Sequence, residues 1–89
     1  MKGIVTVLGK DRVGIIAKVC IYLSETNINI LDISQTIVDG YLNMIMIVDL
    51  TAKTKPFEVI SDDLKKVGES MNIIVKIQHE DIFNSMHRI

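Results

Sequence analysis

The segment Gly9-Lys10-Asp11-Arg12-Val13-Gly14 holds the residue types best suited to chemistry in this 89-residue chain. It ends a β-rich run and opens a helical one. Backbone N–H groups at such a helix start favour an anion, either a carboxylate or a phosphate. Asp11 can accept hydrogen bonds from a ligand's ammonium group, or from the helix's own amides as a cap. Gly14 can equally serve only to let helix and sheet pack closely. The segment is not a Walker loop, because the spacing and the Lys-Ser/Thr pair are absent. Asn29, where a second β-rich run begins, offers both donors and acceptors. Its plain reading, like that of Asn27, is a turn or edge-strand residue.

The other reactive side chains read as structural. Cys20 falls on an apolar helical stripe and is expected to be a buried small hydrophobe, since a reactive thiol needs an exposed, electropositive setting. His79 and His87, with Glu80 and Asp81, suggest a metal site. Eight residues of straight helix separate the two imidazoles by about 12 Å, too far for one ion. Asp62-Asp63 and Lys65-Lys66 form the solvated side of a helix. No Ser-His-Asp, Cys-His or spaced acid pair emerges. The expectation is a protein with no catalytic residues, no metal and no cofactor.

The elements that must position the turn follow from periodicity. Gly3 to Leu8 reads as a strand covered on both faces. Ile16, Val19, Cys20 and Leu23 form one stripe of a helix over Ile15 to Glu25, ending near Thr26-Asn27. Ile28 to Val38 reads as a strand, with Ile28 and Ile30 facing one way and Leu31, Ile33 and Ile37 the other. Asp39-Gly40 predicts a type I′ hairpin, and Tyr41 to Leu50 returns with Leu42, Met44, Met46 and Val48 on one face. Pro56 suits a helix start. Phe57, Ile60, Leu64, Val67 and Met71 then give the cleanest amphipathic stripe. Gly68 inside that helix marks an early end or a close approach. Asn72 to Gln78 is a fourth strand, and Glu80 to Arg88 a short terminal helix.

This order predicts an α+β, ferredoxin-like βαββαβ sandwich with a short C-terminal helix. Both long helices then cover the same sheet face. The strands carry apolar residues on both faces, so a partner, the terminal helix or both must cover the second. Hydrophobic residues make up 48% of the chain and charged residues 24%, a globular composition. A net charge of −1 gives no electrostatic footprint for nucleic acid or an anionic membrane. One Cys excludes an internal disulfide. The apolar run at the start is too short for a signal segment or a membrane span. These features together predict a cytoplasmic location.

The run Val5-Thr6-Val7-Leu8-Gly9-Lys10-Asp11-Arg12-Val13-Gly14-Ile15-Ile16-Ala17, followed by Leu23 and Asn27-Ile28-Asn29-Ile30, resembles an ACT domain. The resemblance spans residues 1–79, with 80–89 as a helical extension of the same domain. Asp32-Ile33-Ser34-Gln35-Thr36 and Ile82-Phe83-Asn84-Ser85-Met86 resemble a narrower group of stand-alone, single-ACT-domain proteins. The chain is also similar to the ACT modules of the glycine-cleavage-system regulator. The resemblance implies a small regulatory domain that pairs side by side as a homodimer and holds an amino acid or related metabolite at the interface. It implies Asp11 and Asn29 as the polar ligand-binding residues, with backbone groups of Val13, Gly14 and Ile15 on the carboxylate. Two departures stand out: Val13 replaces a frequent Pro, and position 11 is Asp rather than Asn. The rival expectation is an interaction module that docks an unidentified protein and binds no metabolite.

Overall fold

The computed structural model describes residues 1–81. Its elements run β1 (Lys2–Lys10), α1 (Ile15–Glu25), β2 (Asn29–Val38), β3 (Tyr41–Asp49), α2 (Phe57–Ser70) and β4 (Ile74–His79). The sheet order is β2-β3-β1-β4, every neighbouring pair antiparallel. This is the expected ferredoxin-like βαββαβ fold, with two interleaved β-α-β units. Glu80 and Asp81 begin a further helical turn. The rest of the expected terminal helix, including His87, lies outside the described residues. No helix among the described residues is long and apolar enough to cross a membrane.

One sheet face carries the core. Val5 and Val7 of β1 join Leu42, Met44, Met46 and Val48 of β3 beneath Ile15, Val19 and Leu23 of α1 and Ile60 and Leu64 of α2. The β3 alternation is as expected. The stripe on α2 is also as expected: Ile60, Leu64 and Met71 are buried, Phe57 and Val67 half-buried. Phe57 stacks on His79 with ring centroids 4.0 Å apart.

Two expectations about faces are corrected. The buried stripe of α1 is Ile15, Val19 and Leu23, at spacings of four. Ile16 is 41% exposed and Cys20 is only half-buried. Both lie on the flank of the helix, because the helix is turned to put Ile15 inward. In β2, Leu31 is an unpaired bulge: Ile30 pairs with Val48, whereas Asp32 pairs with Ile47. The extra residue reverses the alternation. Ile30, Ile33 and Ile37 therefore share the helix-side row with Val48, Met46 and Leu42, instead of facing apart.

The ends of the elements are built from local chemistry. Asp39 (φ 53°) and Gly40 (φ 82°) form the expected tight hairpin. Both helices end in the same way, with an Asn in the left-handed region: Asn27 (φ 59°) and Asn72 (φ 58°). The Ile28 N–H donates to the Leu23 carbonyl and the Asn27 N–H to that of Ser24. The Ile73 and Asn72 N–H groups do the same to Gly68 and Glu69. These are Schellman motifs, which satisfy carbonyls left unpaired at helix ends. Gly68 proves to be a close approach, since a Cβ there would sit 2.7 Å from the Ile73 carbonyl oxygen.

A polar clamp ties the two helices together. The Tyr22 hydroxyl donates to Asp63 Oδ2 at 2.7 Å, and Lys55 Nζ lies 3.2 Å from the same oxygen. Burial, and then the bond to Asp63, push the Tyr22 phenol well above its ordinary range. The bonds from Tyr22 and Lys55 hold the Asp63 carboxyl below its own.

Two outcomes follow from this packing. Leu64→Ala is expected to cost about 2–5 kcal/mol in urea unfolding, as for other buried leucines that leave a cavity. A loss under about 1 kcal/mol would contradict the central place of Leu64 in the core. Tyr22→Phe is expected to lower stability at neutral pH, with a distinct pH signature. Asp63 has a depressed folded pKa, so its contribution is present above about pH 4 and lost as pH falls further. Tyr22 has a raised folded pKa, so its contribution is complete below about pH 10 and lost above. The difference between wild type and Tyr22→Phe should therefore be flat between about pH 6 and 9 and shrink on both sides. A difference that does not vary from pH 3 to 10.5 would rule the clamp out.

Candidate functional site

The β1–α1 turn is anchored on three sides. The Asp11 N–H donates to the Gly40 carbonyl at 2.8 Å, fastening the turn to the β2–β3 hairpin. Arg12 Nη1 donates to the Met71 carbonyl at 3.2 Å, fastening it to the end of α2. Gly9 lies flush against β4's approach, where a Cβ would meet Ile73 Cγ2 at 2.5 Å. The chain then enters α1 through Gly14, at φ 94° and ψ −8°, a conformation that L side chains rarely adopt.

Gly14 is the N-cap of α1, and no side chain caps the helix. The capping role considered for Asp11 is therefore absent, and Gly14 is required by its dihedral angles rather than by close packing. A Cβ on Gly14 would approach nothing nearer than Met71 Cε at 3.9 Å. The first intrahelical bond runs from the Lys18 N–H to the Gly14 carbonyl. The N–H groups of Ile15, Ile16 and Ala17 thus have no intrahelical acceptor. These three residues are among the continuous run from Asp11 to Ala17 that lines an open hollow of about 500 Å³. The Asp11 side chain is exposed, Val13 is 98% exposed, and the Ile15 side chain is buried in the core. This arrangement gives a carboxylate unpaired amides and a helix dipole, with a carboxyl group of the protein nearby for an ammonium.

Asn29 is elsewhere. It starts β2 opposite Asp49, which is itself opposite Lys2, at the far end of β1 from the turn. Eight strand steps separate the two ends, roughly 26 Å at the usual rise. Asn29 lines a different hollow, of about 590 Å³, with Cys20, Ser24, Asn27, Asp49 and Thr51. The Asp49 carboxyl there is held below the usual carboxylate range by hydrogen bonds from the Thr51 hydroxyl and N–H, the latter at 2.9 Å. Within one chain, then, Asp11, Val13, Gly14 and Ile15 come together and Asn29 stands apart.

Sequence reasoning overlooked Arg12, which borders the hollow beside Asp11 and holds the turn in place. Its position inside the turn was the available signal, but its acceptor is a backbone carbonyl 59 residues away. No cluster of three or more His, Cys, Asp or Glu capable of holding a metal occurs among the described residues. His79 is engaged with Phe57 instead.

Comparison with known proteins agrees with this architecture. A family model described as the ACT domain matches residues 3–78. A UPF0237 protein of Bifidobacterium longum is 52% identical over 88 residues, covering 99% of this chain and 98% of that one. The solved structure of an ACT domain protein from Streptococcus pneumoniae superposes with a TM-score of 0.81 at 37% identity, over 93% of each chain. The fold recurs in a structure assigned as a glycine cleavage system transcriptional repressor, with a TM-score of 0.71 at 19% identity over 86% of this chain and 44% of that one. This chain is a member of the ACT-domain family.

Proposed function

We propose that this ACT domain is a regulatory module that senses a free amino acid or a closely related metabolite, at an interface between two copies of the chain. The observation that carries this reading is the β1–α1 turn. There Ile15, Ile16 and Ala17, whose N–H groups lack an intrahelical acceptor, and the exposed Asp11 line one hollow. An α-amino acid carries the matching pair of charges a short distance apart. Its carboxylate takes the helix amides, and its ammonium takes Asp11.

The position of Asn29 supports a two-chain site. β2 is an edge strand of ten residues. It exposes Leu31, Ile33, Ile37 and Val38 and contains no Lys, Arg or Pro. Asp32 and the bulge at Leu31 are its only guards against pairing. Because β2 runs parallel to β1, antiparallel pairing of two β2 edges reverses the partner. Asn29 of the partner subunit then comes level with Val38, at the end of the sheet that carries Asp11. The module would act by altering this interface, without chemistry of its own.

Calorimetry with each of the twenty amino acids at millimolar concentration tests the reading. Asp11→Ala is expected to weaken binding by roughly 10- to 150-fold, the equivalent of one charge-assisted bond. Its urea midpoint should match wild type, because Asp11 caps nothing. Wild-type protein that binds none of the twenty would leave the rival reading, a protein-docking module. Sedimentation at tens of micromolar protein should give the mass of a dimer, and a monomer mass would exclude the shared site.

A further inference from the structure

The carbonyl of the residue that caps the C-terminus of each helix is satisfied in a different way at the two corners of the fold. At the end of α1, the Thr26 carbonyl accepts the backbone N–H of Thr54 at 3.1 Å, and Asn27 Nδ2 donates to the Ala52 carbonyl at 3.1 Å. The loop before α2 therefore closes the α1–β2 corner partly by backbone. At the end of α2, the equivalent Met71 carbonyl accepts Arg12 Nη1 at 3.2 Å. That corner is held to the loop before α1 by an exposed side chain. Among the described residues this is the only hydrogen bond of the Arg12 side chain. Arg12 also lines the hollow at the start of α1, and a guanidinium carries further donors beyond the one used here.

We propose that Arg12 is a switch between the two groups it can reach: the Met71 carbonyl when the hollow is empty, and a ligand carboxylate when it is filled. This rests on the amino-acid reading of the same turn. A neutral carbonyl takes one guanidinium bond, whereas a carboxylate takes two parallel ones with full charge on both sides. An arriving carboxylate therefore competes well for Arg12. Its success leaves the Met71 carbonyl to water and loosens the corner from which β4 starts. Ile74, the first residue of β4, is 64% exposed. Occupancy of the turn would thus be felt at a sheet edge away from the β2 interface. Arg12 becomes a specificity residue for carboxylates as well as the link between site and edge.

The Met71 carbonyl and the Asn72 N–H belong to one peptide unit, so the Asn72 amide resonance reports the bond from Arg12. The experiment is a set of ¹H–¹⁵N spectra of the full chain, titrated with each of the twenty amino acids, for wild type, Arg12→Gln and Arg12→Lys. In wild type, the binding amino acid is expected to move the Asn72 resonance. In Arg12→Gln, Asn72 should already be displaced in the same direction without ligand, and affinity should fall by roughly 10- to 150-fold. Arg12→Lys should recover part of the affinity, since a point charge lacks the two-pronged geometry. Binding that leaves Asn72 unmoved in wild type, while Arg12→Gln moves it, would make Arg12 a fixed tie and overturn the switch alone. Binding of unchanged affinity to Arg12→Gln would also overturn it. If wild type binds none of the twenty, the switch and the amino-acid reading fall together.

Discussion

Ile73 is wedged between two glycines, and the geometry around the turn depends on that wedge. On one side β1 passes so close that a Cβ on Gly9 would stand 2.5 Å from Ile73 Cγ2. On the other, the last turn of α2 passes so close that a Cβ on Gly68 would stand 2.7 Å from the Ile73 carbonyl oxygen. Side chains at either position would push strand, helix and corner apart. With both absent, β4 can begin directly after the Schellman turn of α2 and pair with β1 from Leu8 back to Gly3. The end of β1 is thereby fixed against the end of α2, which is what brings Arg12 within reach of the Met71 carbonyl. Gly68 is unfavourable for helix propensity by about 1 kcal/mol relative to Ala, a local cost offset by this contact.

The two halves of the fold repeat one construction. Each β-α-β unit ends its helix on an Asn in the left-handed region, follows it with a buried Ile, and enters the next strand at once. Each helix end is then bonded by the loop that precedes the other helix. The halves differ where a ligand reading would need them to. The loop before α1 is short and offers free amides beside Asp11 and Arg12. The loop before α2 is longer and enters its helix through Pro56, whose ring carries no N–H. At the start of α2 the Val59 N–H, like that of Ile60, donates to the Pro56 carbonyl, so fewer amides are left free there than at the start of α1. The asymmetry favours the first turn over its counterpart as the candidate ligand site.

Much of the fold was legible because each element carries its own period. The alternation of Leu42, Met44, Met46 and Val48 survives intact in β3, and so does the stripe from Phe57 to Met71 in α2. Asp39-Gly40 specified its own turn through the positive φ that it tolerates. The errors arose where a local pattern was ambiguous by one residue. Ile15 and Ile16 are equally apolar, and only packing against the sheet selects Ile15. The bulge at Leu31 changes which residues of β2 share a face, and nothing in a run of alternating Ile, Leu and polar residues announces an unpaired position. The turn itself was visible as a charged stretch between glycines. The roles of its residues were not: Gly14 supplies a backbone angle, Gly9 supplies the close approach, and Asp11 leaves the helix uncapped. Of these, the Gly9 contact depends on Ile73, far away in sequence, and the other two on backbone geometry that residue type alone does not fix.

The separation of Asp11 from Asn29 is the point at which reading by resemblance and reading by geometry meet. A sequence motif carries no distance, so both residues could be assigned to one ligand without conflict. The sheet registers supply the distance, since Asn29 shares a row with Asp49 and Lys2, while Asp11 follows Lys10 at the other end. A ligand the size of an amino acid cannot bridge roughly 26 Å of strand. Either Asn29 has no part in the site, or a second copy supplies it. The orientation of β2 decides what the second option requires. Had β2 run antiparallel to β1, edge pairing would carry the partner's Asn29 away from the turn. It runs parallel, and antiparallel pairing of the edges carries the partner's Asn29 toward it. One topological fact, the crossover through α1, therefore makes a two-chain site geometrically available and excludes a site using both residues within one chain.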